Sequence, residues 1–125
     1  MKFNLIDGLN KVTRKFDYEI TENHKYKKLG ELYGEDKDRI YFVRMFYTNK
    51  KSLYGENEVV VTDNYIINLP KHLTETVKKI VNNEEYLKLI NEGKFAFKIY
   101  EYEYKQGKET KKGYSVNWGV YNIMG

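Results

Sequence analysis

The sequence contains no cysteine, which excludes a disulfide framework, thiolate ligation of a metal and a cysteine nucleophile. A reducing compartment is the simplest setting for such a chain. The first sixteen residues carry Asp7 and lack the uninterrupted apolar core of a signal peptide, so a cytosolic location is expected. Nowhere does the chain hold the roughly 20 consecutive apolar residues that a membrane-spanning helix needs, and no membrane association is expected. Histidine occurs twice, at His24 and His72. Without cysteine the two make a poor metal pair, so both are read as surface residues and neither a metal nor another cofactor is expected. There is no glycine-rich phosphate loop, no H-E-x-x-H helix and no G-x-S-x-G elbow. An enzymatic reading would have to use the acid pairs Glu84 with Glu85 or Glu101 with Glu103, and the chain is read as a binding protein rather than an enzyme.

What the chain has in quantity is aromatic side chains and alternation. Of its 125 residues, 16% are aromatic and 13 are tyrosine. Large rings bury roughly 150 to 250 Å² each, enough for one core in a chain of single-domain length. The net charge of +4 tilts the surface toward anionic partners. Residues 1–15 are ambiguous between helix and strand and are read as an N-terminal extension, the segment favoured for any contact between copies.

From residue 16 the pattern has period two. Phe16, Tyr18 and Ile20 alternate with polar residues, and a strand bent at Gly30 is expected over 16–33. A turn follows at 34–38. The segment 39–48, RIYFVRMFYT, is the clearest strand, with aromatic residues on both faces. Residues 58–69 form the next, with Asp63 and Asn64 as a bend. The only proline, Pro70, marks a change of period: Leu73, Val77, Ile80, Val81, Leu87 and Ile90 lie on one stripe of a helix over 71–92. Asn68 is its expected N-cap and Gly93 its stop, with a possible break at Asn82 and Asn83. Two closing strands are expected at 95–104 and 114–124, with a bulge at Gly119 and a lysine-rich loop at 106–113 between them. Trp118, in the closing strand, is read as a core residue.

Five strands with one helix between the third and fourth match the order of an OB-type barrel, in which closure removes exposed edges. With this order, and with the segment VVVTDNYIINLPKHL leading into the helix, the sequence resembles the OB-fold single-stranded DNA-binding proteins, particularly the small versions encoded by phages and other mobile elements. The resemblance covers residues 16–124. It implies a binding surface on strands two and three and their neighbouring loops, and a role on unpaired DNA.

The residues themselves offer rings to stack on bases and cations for phosphates. Arg39, Tyr41, Arg44, Tyr47, Lys50, Lys51, Tyr54 and Tyr65 are the expected contacts, and no acidic residue occurs between 39 and 55. Lys108, Lys111 and Lys112 of the 106–113 loop are expected to close over the strand as a clasp. A second class fits the same residues, because tyrosine and arginine also dominate protein interfaces. In that reading the chain is a small protein-binding inhibitor or adaptor of a host nuclease or defence complex.

Overall fold

The computed structural model describes residues 16–49 and 57–121. In chain order the elements are β1 (Lys25–Lys28), α1 (Leu29–Glu35), β2 (Ile40–Phe42), β3 (Met45–Asn49), β4 (Asn57–Val61), β5 (Tyr65–Asn68), a 3₁₀ turn (Lys71–Leu73), α2 (Thr74–Val81), α3 (Glu84–Asn91), β6 (Phe95–Gln106) and β7 (Glu109–Val120). The strands form two sheets, one of four in the order β1-β5-β4-β3 and one of three in the order β2-β6-β7. β1 runs parallel to β5, and the remaining pairs are antiparallel.

The expected five-stranded OB-type barrel is therefore overturned: two open sheets replace it, and the described residues hold three α-helices in place of one. Each departure has a local cause. Residues 58–69 are two strands, because Asp63 and Asn64 reverse the chain where a bend was expected. Thr62 N–H donates to Tyr65 O at 2.9 Å and Tyr65 N–H to Thr62 Oγ1 at 3.2 Å, closing a tight turn. Residues 16–24 form no strand, and the segment after Lys28 turns helical. Leu29 and Leu32, three residues apart, bury one face of α1, while Glu31 Oε1 accepts the Lys28 N–H at 3.0 Å, satisfying a donor that the first turn leaves free. The long strand expected at 39–48 is likewise divided. Val43 N–H donates to Phe95 O at 2.9 Å in one sheet, and Arg44 N–H donates to Val61 O at 2.8 Å in the other. The chain changes sheets across that one peptide.

The helical region follows the expected break. Asn83 caps α3, its Oδ1 accepting the N–H groups of Glu85 at 2.9 Å and Tyr86 at 3.2 Å. Gly93, with φ of +74°, ends it in the left-handed conformation that favours glycine. Asn68 is not a cap; it closes β5, and its side chain accepts from Asn57 Nδ2 at 3.1 Å. Gly119 makes no bulge, since it lies opposite Ala96 in an unbroken register.

Leu32 of α1, Val77 of α2, Ile90 of α3 and residues of both sheets belong to one buried cluster. Phe97 is fully buried within it, its ring stacked on Tyr41 at 5.4 Å and edge-on to Trp118 at 5.4 Å. Burial of such a ring contributes roughly 2 to 3 kcal/mol. Among the described residues no helix is long and apolar enough to cross a membrane, and no group of three or more His, Asp or Glu residues is placed to hold a metal ion.

Candidate functional site

The contacts expected around β2 and β3 are drawn into the protein's own structure. Tyr41 is only 4% exposed, and burial, opposed by the neighbouring Arg39 charge, pushes its phenol above the ordinary tyrosine value. The Arg39 guanidinium lies over Tyr41 at 5.1 Å and over Tyr65 at 5.7 Å, so these three residues do come together, as an internal cation–π stack. Arg44 donates through Nε to Asp63 Oδ1 at 2.7 Å. Tyr47 is half-buried, and its phenol is raised by burial first and by the adjacent Tyr26 hydroxyl second. Lys50, Lys51 and Tyr54 lie outside the described residues.

The lysine-rich loop is shorter than expected. β6 runs to Gln106 and β7 begins at Glu109, leaving Gly107 and Lys108 as the turn. Lys111 then lies opposite Tyr104, and Lys112 opposite Glu103. Successive residues of a strand point to opposite faces, so these two lysines are divided between the faces of a hairpin and form no clasp. The groove that a barrel would supply is absent too. Ile40 lies opposite Lys98, and Gln106 is eight residues farther along β6, roughly 25 Å at about 3.3 Å per residue.

That distance defines an arm. β2 pairs with β6 only through Ala96, Phe97 and Lys98, while β6 and β7 continue together to Gln106 and Glu109. Beyond Lys98 neither outer edge of the hairpin pairs with another strand among the described residues. On one face of the arm stand Tyr100, Tyr102 and Tyr104, exposed by 40%, 36% and 43%. Their ring centroids are 6.3 and 6.1 Å apart.

The row is held in place from both sides. A Cβ at Gly113, opposite Tyr102 in register, would lie 2.5 Å from the Tyr102 ring, so the missing side chain is what lets that ring lie across the neighbouring strand. His72 meets the Tyr102 ring edge-on at 6.1 Å, and its Nε2 lies 3.0 Å from the hydroxyl of buried Ser115.

The other face of the arm has a different chemistry. Glu101, Glu103 and Lys105 face Tyr114, Lys112 and Thr110. Tyr114 donates to Glu101 Oε2 at 2.8 Å and packs on Tyr33 of α1 at 5.7 Å. That hydrogen bond is the largest cause raising its phenol above the usual value. Lys112 Nζ sits 3.7 Å from Glu101 Oε1. Glu101 and Glu103 thus lie under the arm, interleaved with Lys105 and Lys112, while Tyr100, Tyr102 and Tyr104 lie on top.

The three arm tyrosines were not among the expected contacts. Their signal is the segment IYEYEYK at 99–105, in which strict alternation sends every ring to one face. The sequence does not say that this stretch extends past the core, and strand tyrosines usually pack inward. Comparison of the chain with protein-family models, with curated proteins and with solved structures gives no match, and the functional reading rests on geometry alone.

Proposed function

We propose that this protein is a binding module without chemistry of its own, an adaptor or inhibitor that recognises a protein partner through the β6–β7 arm. The observation that carries this is the row of exposed tyrosines on a hairpin whose outer edges pair with no other strand among the described residues. Tyrosine supplies contact area at little entropic cost and is enriched where interfaces concentrate their energy. Free strand edges are ordinarily shielded, because they offer backbone donors and acceptors to any chain that can add a strand.

A protein partner is favoured over an unpaired nucleic acid by the disposition of the cations. Arg44 pairs with Asp63, Lys112 with Glu101 and Lys98 with Asp38 at 3.5 Å, and Arg39 lies over Tyr41 and Tyr65, which leaves Lys111, opposite Tyr104, as the one lysine on the tyrosine face of the arm among the described residues. Sequence-independent binding of a single strand needs free cations tracking the phosphates beside the rings.

The test compares the wild-type chain with a variant carrying Tyr100→Ser, Tyr102→Ser and Tyr104→Ser, both immobilised and challenged with nuclease-treated extract of the cells that express the protein. Proteins retained by the wild type and lost from the variant are the expected result. In parallel, a labelled single strand of about 20 nucleotides, long enough for any single-strand site of this size, should show no salt-dependent anisotropy change. Identical retention by both proteins overturns the proposal, as does a steep, salt-sensitive oligonucleotide isotherm.

A further inference from the structure

The outer edge of β6 offers backbone groups as well as rings. Lys94 O accepts the Tyr121 N–H from the β7 side of the strand, and Phe95 O accepts the Val43 N–H from the opposite, outer side. Backbone direction alternates along a strand, so the odd-numbered residues of β6 carry their N–H and C=O groups outward. β2 takes up this edge only as far as Lys98. Beyond it, the outward groups of Glu101, Glu103 and Lys105 meet no other strand among the described residues. Lys112 goes to Glu101 at 3.7 Å, which leaves Glu103 and Lys105 with no ion pair among the described residues.

We infer that this edge pairs antiparallel with the same edge of a second copy of the chain, centred on Tyr104, a step that rests on the reading of the arm as a protein-binding surface. Facing residues of an antiparallel pair share one face of the sheet, where opposite charges stabilise and like charges destabilise. The centre of the pairing therefore decides which charges meet. Centred on Tyr102, Glu101 faces Glu103 of the second copy at two symmetric places. Centred on Glu103 or on Lys105, that residue faces its own copy. Centred on Tyr104, Glu103 faces Lys105 of the second copy twice, and these are residues whose backbone groups point at each other across the edge. On β7 the registers centred on Lys111 and Lys112 set lysine against lysine. The length of the arm fits the Tyr104 centre too. Gly107 and Lys108 of the second copy then lie opposite Glu101 and Tyr100, just short of Lys98, where pairing with β2 begins. The two tyrosine rows meet on one face, and the two-fold contact uses up the β6 edge of both copies, so assembly stops at a dimer.

Sedimentation velocity on the full chain, from about 1 to 200 μM, reads this directly across the range of a weak to moderate dimer. A concentration-dependent dimer is expected. Glu103→Lys and Lys105→Glu each set like charges against one another at both symmetric places, and each should weaken the dimer about tenfold. The two changes together restore opposite charges with their signs exchanged, and should return the affinity to within about threefold of wild type. Both side chains are exposed, so all three variants should keep the wild-type thermal midpoint, which shows that they are folded. A chain that stays monomeric at about 200 μM overturns the inference. Retention of a different protein by the tyrosine row would in that case leave the arm standing as a binding surface. A dimer that either single variant leaves as tight as before, or that the combined variant does not regain, overturns the inference as well.

Discussion

Tyr41 and Tyr47 occupy the same parity of one sequence segment, yet only Tyr41 is sealed in the core. The crossing at Val43 and Arg44 makes Tyr41 and Val43 inward on one side of it and Phe46 inward on the other, so a single alternation cannot describe both halves. Burial has a thermodynamic consequence for the two phenols. Both are held above the ordinary value of 10.0 chiefly by burial, so the unfolded chain releases these protons first. Their contribution to stability is therefore complete below pH of about 10 and is lost as pH rises through the folded-state values. The urea midpoint should fall as pH is raised from about 9 to 11, and Tyr41→Phe should flatten part of that fall. A decline of the same steepness in the variant would assign the effect to other groups.

The helices and the hairpin differ in how plainly their sequences declare them. The stripe of Leu73, Val77, Ile80 and Ile90 and the stop at Gly93 are readable because helical spacing and a positive φ leave direct marks on residue type. Asn82 and Asn83 hint at a break, and Asn83 provides it by capping α3. Asn83→Ala should cost about 1 kcal/mol, the usual worth of such a cap, measured as a lowered thermal midpoint with loss of far-ultraviolet helical signal. Little change would mean that packing of Leu87 and Ile90 alone holds the helix. Strands declare themselves less completely. β4 and β5 read as one run because a hairpin turn of Asp63 and Asn64 differs from a bend only in the pairing that follows. The segment after Lys28 also looks extended until Leu29 and Leu32 find a common surface, since short apolar runs fit either period.

At the scale of the whole molecule, one buried cluster and one projecting arm divide the work. β6 and β7 serve both, with Phe95, Phe97, Ile99 and Val116 in the core and everything beyond Glu101 and Tyr114 outside it. Replacing residues 102–113 by Asn-Gly, a preferred two-residue hairpin turn, would leave Glu101 opposite Tyr114 as the last pair. Cooperative unfolding should persist with the midpoint lowered by no more than a few degrees, because the excised tyrosines pack along the arm itself and lie outside the buried cluster. Partner binding should vanish with the arm. Loss of the cooperative transition would show instead that the tyrosine face supports the fold.

By itself the sequence determined the apolar stripe of the helical region after Pro70, the alternation of the strands that follow Gly93 and the absence of thiol chemistry. Those properties follow from residue type and short-range spacing, which the unfolded chain already possesses. Only the tertiary structure decided that the strands form two open sheets and that Arg44 is neutralised by Asp63. It also decided that tyrosines 100, 102 and 104 stand in solvent while Tyr41 does not. Pairing partners and the reach of a strand beyond its neighbours depend on contacts between segments far apart in the chain, and period-two alternation is the same for a strand inside a core and for one that leaves it.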